Sequence, residues 1–247
     1  MKNRLTPLFG FVVVVLFWGI GAYIVEIPFL PSPVEVMGSL FSMVLTQRYW
    51  DDIMATLFRT GVSFGISTFI GVPLGLVIGH FLIMRRLFEA LLDFARSIPA
   101  TALLPLFLVL LGVGDSGKIA LTCYSVTLII AIYTMLGVAN ASKERLLYGK
   151  TLGASAFFLF TRIVFFDALP SIMSGLRASI SLALILVIVA EMVMMGGEYG
   201  LGMRLYLLRF KTDYSGMYAM ILTCGILGYL INWVLKWLTS RYVHWGQ

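Results

Sequence analysis

The sequence predicts an all-α membrane protein of about six spanning helices. Three observations carry this. Of its 247 residues, 60% are hydrophobic and only 12% charged, with a mean hydropathy of +0.96, a balance that a water-exposed domain does not carry. Apolar runs recur at close to twenty residues, the length that crosses about 30 Å of hydrocarbon. The charged residues gather between those runs, and the basic ones concentrate at span ends and in particular loops. The pI near 9.4 follows from that distribution. No basic tract with interleaved aromatics points to nucleic acid.

Taken in order, the apolar runs place spans at 8–25, 56–82, 87–112, 118–139, 175–195 and 216–239. The first run follows Lys2 and Arg4 but is too long for a secretion signal and is followed by no small-x-small cleavage site. Residues 27–36, with Pro28, Pro31 and Pro33, start extended because proline disfavours helix there. Val34 to Leu45 then has the spacing of a short surface helix. The second span carries Gly61, Gly65, Gly71, Gly75 and Gly79 at small-xxx-small spacing, which admits close packing within the chain or against another subunit. The third span opens with Pro99 in its first turn. Pro105 lies deeper and is expected to kink the helix; with Thr101 it either lines a pathway or only sets shape.

An even number of spans puts both termini on one side. Lys2, Arg4, Arg85, Arg86, Lys143, Arg145, Lys150, Arg162, Lys236 and Arg241 then fall on the cytoplasmic side. Glu26, Glu35, Asp51, Asp52, Asp115, Glu198 and Asp213 fall outside, together with Arg48, Lys118, Arg204, Arg209 and Lys211. The expected setting is a membrane crossed several times by one domain, 1–247, with both ends inside.

Catalytic and metal chemistry find no support. There is no Gly-x-x-x-x-Gly-Lys-Ser/Thr loop, no His-Glu-x-x-His and no Ser/His/Asp set. Cys123 and Cys224 lie in apolar runs and make neither a disulfide framework nor a metal site. His80 and His244 stand at span ends without a second ligand nearby. The chain is expected to be no enzyme and to hold no metal or cofactor of its own. Uphill transport then needs a partner or an ion gradient.

Between spans four and five, residues 141–170 form a loop too apolar for a bare linker. Asn140 is expected to cap a first short helix, Gly153 to end it in the left-handed conformation, and Ser155 to cap a second helix that stops before Pro170. Phe157, Phe158, Phe160, Phe165 and Phe166 make that second helix aromatic. Their rings pack on the chain's own span ends or enter a groove on a partner. Glu191 is a carboxylate inside an apolar run; it faces a path or gate, or reaches interfacial water. Arg177 is placed at the inner end of the same span, snorkelling or paired locally.

This loop resembles the cytoplasmic Glu-Ala-Ala loop of ABC importer permeases. That pattern's glycine falls on Gly153 and its isoleucine on Ile163. Its Glu-Ala-Ala positions carry Leu147-Tyr148-Gly149, and its final Leu-Pro carries Phe165-Phe166. The Leu152-Gly-Ala-Ser155 core, the stretch from Ala168 to Arg177, the Leu-Pro-Ser-Pro segment, and Ala190-Glu-Met with Gly200-Leu-Gly202 are similar to the nitrate/sulfonate/taurine/bicarbonate branch. The resemblance implies a bacterial inner membrane as the setting and a second permease copy, most simply a homodimer. It also implies two cytoplasmic ABC ATPases carrying ATP and Mg²⁺, and an extracytoplasmic binding protein. By position in the motif it implies ATPase contact at Leu147, Tyr148, Gly149, Gly153, Ala154 and Ser155. For Glu191 it favours a site lining the translocation path or gate; Thr101 and Pro105 are candidates for the same path through the expected kink. An ion-coupled secondary carrier and a non-transport membrane scaffold are the alternatives. The carrier expects several intramembrane charges and an internal repeat; the scaffold leaves the helix–Gly–helix loop without a role.

Overall fold

A computed structural model describes residues 5–25 and 27–242. Lys2, Arg4, Glu26 and His244 lie outside the described residues. Every described element is helical. α1 runs Leu5–Val25, α2 Pro33–Val44, α3 Gln47–His80 and α4 Leu82–Ser97. A 3₁₀ turn, Ala100–Leu103, leads into α5, Leu104–Leu111, and α6 spans Asp115–Ala139. α7 is Lys143–Thr151, and α8, Ala156–Leu159, passes through a π turn, Phe160–Val164, into α9, Phe165–Val193. α10, Leu201–Phe210, and α11, Tyr214–Tyr242, complete the chain.

Four stretches are long and apolar enough to cross a bilayer: Gln47–His80, Asp115–Ala139, Ala156–Val193 and Tyr214–Thr239. Leu82–Ser97 and Ala100–Leu111 make a fifth if taken together, but they are bent by 78°. The break differs from the expected kink at Pro105. Ile98 precedes Pro99 and is driven out of the helical region, with ψ at 119°. Pro105 instead sits in the first turn of α5, where a missing N–H costs nothing. Two spans are also longer than their apolar runs. The second begins at Gln47 because an amphipathic turn, with a Gln47–Asp51 side-chain hydrogen bond of 3.0 Å, extends it. The fifth begins at Ala156.

α2 starts where the prolines end. Ser32 accepts from the Glu35 amide, Glu35 reaches back to the Ser32 amide at 2.8 Å, and Pro33 occupies the first turn. At the centre, α3, α6 and α9 pack on one another. Val126, Ile130 and Ala183 meet Phe64, Val72 and Leu176 there. A Cβ on Gly75 would stand 2.5 Å from the Ala131 carbonyl, and one on Gly79 2.7 Å from Val138, so these glycines let α3 lie against α6. Gly61 and Gly65 have nothing within 4 Å. Arg177 lies well inside α9 rather than at a span end, and its Nε is buried without a hydrogen-bond partner.

Candidate functional site

The α7 end of the molecule carries a short helical hairpin. Asn140 closes α6 rather than opening α7; its amide donates to Leu136 O. Ser142 is the cap of α7 and accepts from the Arg145 amide at 3.2 Å. The Ser142 hydroxyl also donates to Glu144, 2.9 Å away, and holds that exposed carboxyl below the ordinary carboxylate range. α7 ends on Gly153, whose φ of 76° is left-handed. The Gly153 amide bonds Lys150 O and the Ala154 amide bonds Gly149 O, which is the Schellman pattern. Ser155 caps α8 through the Phe158 amide at 3.3 Å.

The second helix does not stop before Pro170. It continues as α9, with Pro170 inside it, after the π turn absorbs an extra residue in the backbone ladder. The hairpin is therefore the tip of a 38-residue rod, Ala156–Val193. Its aromatic rings divide. Phe160 and Phe165 pack inward with Leu146 on Val138, Ala141, Val164, Ala168 and Ile172, and Phe160 meets the His80 ring at 4.8 Å. Phe157 and Phe158 are exposed, as are Leu147, Tyr148 and Leu152, the last at 85%. Gly149 lies where α7 crosses α8; a Cβ there would collide with Leu159. Gly153 and Ser155 are exposed and Ala154 half-buried. The structure thus gathers all six positions of the loop motif on one hairpin.

A carboxylate that carries no motif in the sequence fastens this hairpin. Asp167, near the start of α9, has a side chain only 7% exposed. It accepts from the Ser142 amide at 3.0 Å and pairs with Arg145 at 2.8 Å.

The opposite end of α9 is built from charge. Glu191 is fully buried. Its Oε1 pairs with Arg59 Nη1 at 2.6 Å, the Thr56 hydroxyl donates to the carboxylate at 2.9 Å, and the Gly202 amide donates to Oε2 at 3.0 Å. Arg59 also pairs with Asp115 at 2.8 Å and donates to Tyr199 O. Asp52 accepts from the Gly200 amide, Thr56 from the Leu201 amide, and Lys118 donates to Gly196 O. The polar side chains come from α3, α6 and α9, and most of their backbone partners lie in the segment 196–202 leading into α10. Gly200 adopts φ 155° and Gly202 approaches Ile188 O too closely for any side chain. The sequence marks none of Arg59, Thr56, Asp52 and Lys118 as a site residue by motif. Arg59 was the available signal: a cation in an apolar run needs a counter-charge.

Thr101 and Pro105 stand apart from both ends. Thr101 borders a cavity of about 430 Å³ between the 78° bend, α6 and α9, with Tyr124, Tyr133, Leu182 and Leu186. Pro105 is on an exposed face of α5 and is not among the residues lining that cavity. Among the described residues no His, Cys, Asp and Glu side chains gather in a group able to hold a metal ion.

Residues 71–244 match the binding-protein-dependent transport system inner membrane component. The chain belongs to that family. Two similar members are the formylaminopyrimidine transport permease protein ThiX of Halalkalibacterium halodurans and the taurine transport system permease protein TauC of Escherichia coli. ThiX is 28% identical, over 99% of this chain and 97% of its own. TauC is 25% identical, over 88% and 80%. Among solved structures, a chain of the MetNI methionine ABC transporter in inward-facing form shares the fold. Its TM-score is 0.67 at 20% identity, covering 77% of this chain and 94% of that one. As a family member the chain is a transport subunit and not itself an enzyme.

Proposed function

We propose that this chain is the permease subunit of an ATP-driven importer whose solute arrives on an extracytoplasmic binding protein. In this reading α1 is the sixth span and both termini lie in the cytoplasm with α7. Two copies form the pore, and two ABC ATPases, which carry the ATP and Mg²⁺, grip the two hairpins. The observation that carries it is the exposed apolar tip of Leu147, Tyr148, Leu152, Phe157 and Phe158 on a capped, glycine-turned hairpin in a member of a binding-protein-dependent family. Exposed apolar surface rimmed by charge marks a binding face. Leu147 and Tyr148 then enter the ATPase groove, while Gly149, Gly153, Ala154 and Ser155 give the hairpin its shape. Replacement of the motif's acid by Leu147 shifts the contact from charge toward packing.

Thr101 and Pro105 are assigned to the translocation path, beside the bent pair. Glu191 is assigned to the outer gate: its closed ion pair holds the end of α9 against α3 and α10, and transport requires that end to move. The solute is a small polar molecule of the nitrate, sulfonate, taurine or bicarbonate kind, as the TauC likeness supports; a pyrimidine of the ThiX kind is the specific competitor.

The test is crosslinking from cysteines at 148 and 154 to a co-expressed ATPase, with a cysteine at 115 as the control. Crosslinks at the first two alone, in vesicles that take up solute only with ATP, are the expected result. Uptake driven by an ion gradient without ATP returns the secondary carrier. Absence of any uptake from an assembled, loaded system returns the scaffold.

A further inference from the structure

We propose that Asp167 is the joint through which α7 drives α9, making it a positioning residue for transport; the inference rests on the importer reading above. α7 is tied to the rod at both of its ends. Its C-terminal end is joined through the Gly153 turn, with Gly149 set against Leu159. Its N-terminal end is held by Asp167 alone among the described carboxylates. The Ser142 amide donates to one carboxylate oxygen at 3.0 Å and Arg145 to the other at 2.8 Å. A short helix fastened at one end pivots under load. Fastened at both, it moves with the rod.

Three features separate this from an ordinary stabilising contact. α7 has no fully buried residue, and its apolar hold on the core is the half-buried Leu146, so the Asp167 tie supplies the polar, directional part of its attachment. The Asp167 side chain is 7% exposed while Arg145 is 65% exposed, so the carboxylate is the fixed half and the loop arginine reaches in to it. From Asp167 the helix runs without a break to Glu191, about 36 Å at 1.5 Å per residue. There it is pinned to α3 by Arg59 and Thr56. A displacement delivered to α7 at one face is thus passed along a single helix to the charged cluster at the other.

The experiment uses the importer reconstituted in liposomes with its ATPase and solute-loaded binding protein, and reads solute moved per ATP hydrolysed. Asp167→Asn keeps the shape and loses the charge. The complex should form in normal yield, and transport per ATP should fall at least about tenfold, the scale of losing hydrogen bonds to a charged, mostly buried acceptor. The double variant S142C/D167C should be equally uncoupled until its two thiols are bridged by a short bis-thiosulfonate reagent, and should then regain transport per ATP. A wild-type ratio in Asp167→Asn overturns the proposal. So does a bridged double variant that stays uncoupled, and so does a complex yield that falls in step with transport, which makes the contact one of folding. Failure of the importer reading looks different: the wild-type chain binds no ATPase or transports without ATP.

Discussion

At one end of α9 a carboxylate is fully enclosed, with an arginine, a threonine and a backbone amide around it. At the other, Leu147, Tyr148, Leu152 and Phe157 stand in the open on a short hairpin. The two ends break the usual partition in opposite directions. Charge buried and paired is internal wiring, since it has already found its partners within the chain. Apolar surface left outside on an ordered element has not, and its partner is another molecule. The contrast says which residues to change for stability and which for assembly.

The largest effect is expected at the enclosed end. Arg59→Ala leaves Glu191 buried without its counter-charge and strips Asp115 and Tyr199 O of a donor. Breaking a buried pair from one side costs about 3–5 kcal/mol, so the variant should lose thermal stability in detergent and accumulate poorly. Glu191→Gln is milder, because the amide still accepts from Thr56 and Gly202. Its chain should fold, with transport reduced at limiting solute. An Arg59→Ala chain as stable as the parent would show that the cluster is wet and loosely held, and the contrast between the ends would fail.

The exposed end should respond in binding and not in folding. Tyr148 is 73% exposed, so Tyr148→Ala should leave the melting temperature unchanged. As an aromatic anchor at an interface it is worth about 2 kcal/mol or more, a loss of roughly thirtyfold in ATPase affinity. Lys143→Ala, a rim charge on the same helix, should cost less. Equal losses at the two positions would mean that charge, not packing, holds the ATPase.

How legible each end was in the sequence follows from the same contrast. The hairpin is local. Gly153, Ser155 and the aromatic run lie within about twenty residues, and their turn chemistry is written in residue types. The extension of α9 through Pro170 was hidden, because a proline reads as a stop unless a nearby π turn takes up the strain. The charged cluster is non-local. Thr56 and Arg59 meet Glu191 across more than 130 positions, and no spacing rule joins them. Glu191 was visible as a costly charge, but its partner was not. Asp167 was hidden for a third reason: it stands inside the Ala156–Val193 rod in no recognisable motif, and only packing shows that it serves α7. The break at Pro99 rather than Pro105 was decided by the residue before the proline, a local rule that a reading of helix interiors overlooks.

A smaller effect belongs to the Gly153 turn. Its φ is 76°, and a Cβ placed there would meet nothing within 4 Å, so the penalty for a side chain is conformational and not steric. Gly153→Ala should cost about 1–2 kcal/mol of hairpin stability and weaken ATPase binding by misplacing α7, while membrane insertion stays normal. If ATPase affinity is unchanged in Gly153→Ala and also in Gly153→Val, the hairpin is not held in this shape when gripped.

The smallest expected effect is a titration, and it asks whether the exposed end is as water-screened as the contrast requires. Glu144 lies in the first turn of α7 and accepts from the Ser142 hydroxyl. That bond, more than the neighbouring Arg145 and Lys143 charges, sets its carboxyl below the ordinary range. The sign follows from linkage. A group whose pKa is lower folded than unfolded lends stability above its unfolded value and loses it as the pH falls through its folded value. α7 should therefore loosen slightly only in acid, below the ordinary carboxylate range, and be insensitive to pH near neutrality. The carboxyl resonance of Glu144, followed by isotope-edited NMR, should titrate below the usual midpoint in the parent and move up in Ser142→Ala. A midpoint that stays low in Ser142→Ala and rises only when Arg145 and Lys143 are replaced by alanine would assign the shift to the loop's basic residues. The end taken here to bind by packing would then carry a working electrostatic field, and the ordering of Tyr148 above Lys143 would have to be reversed.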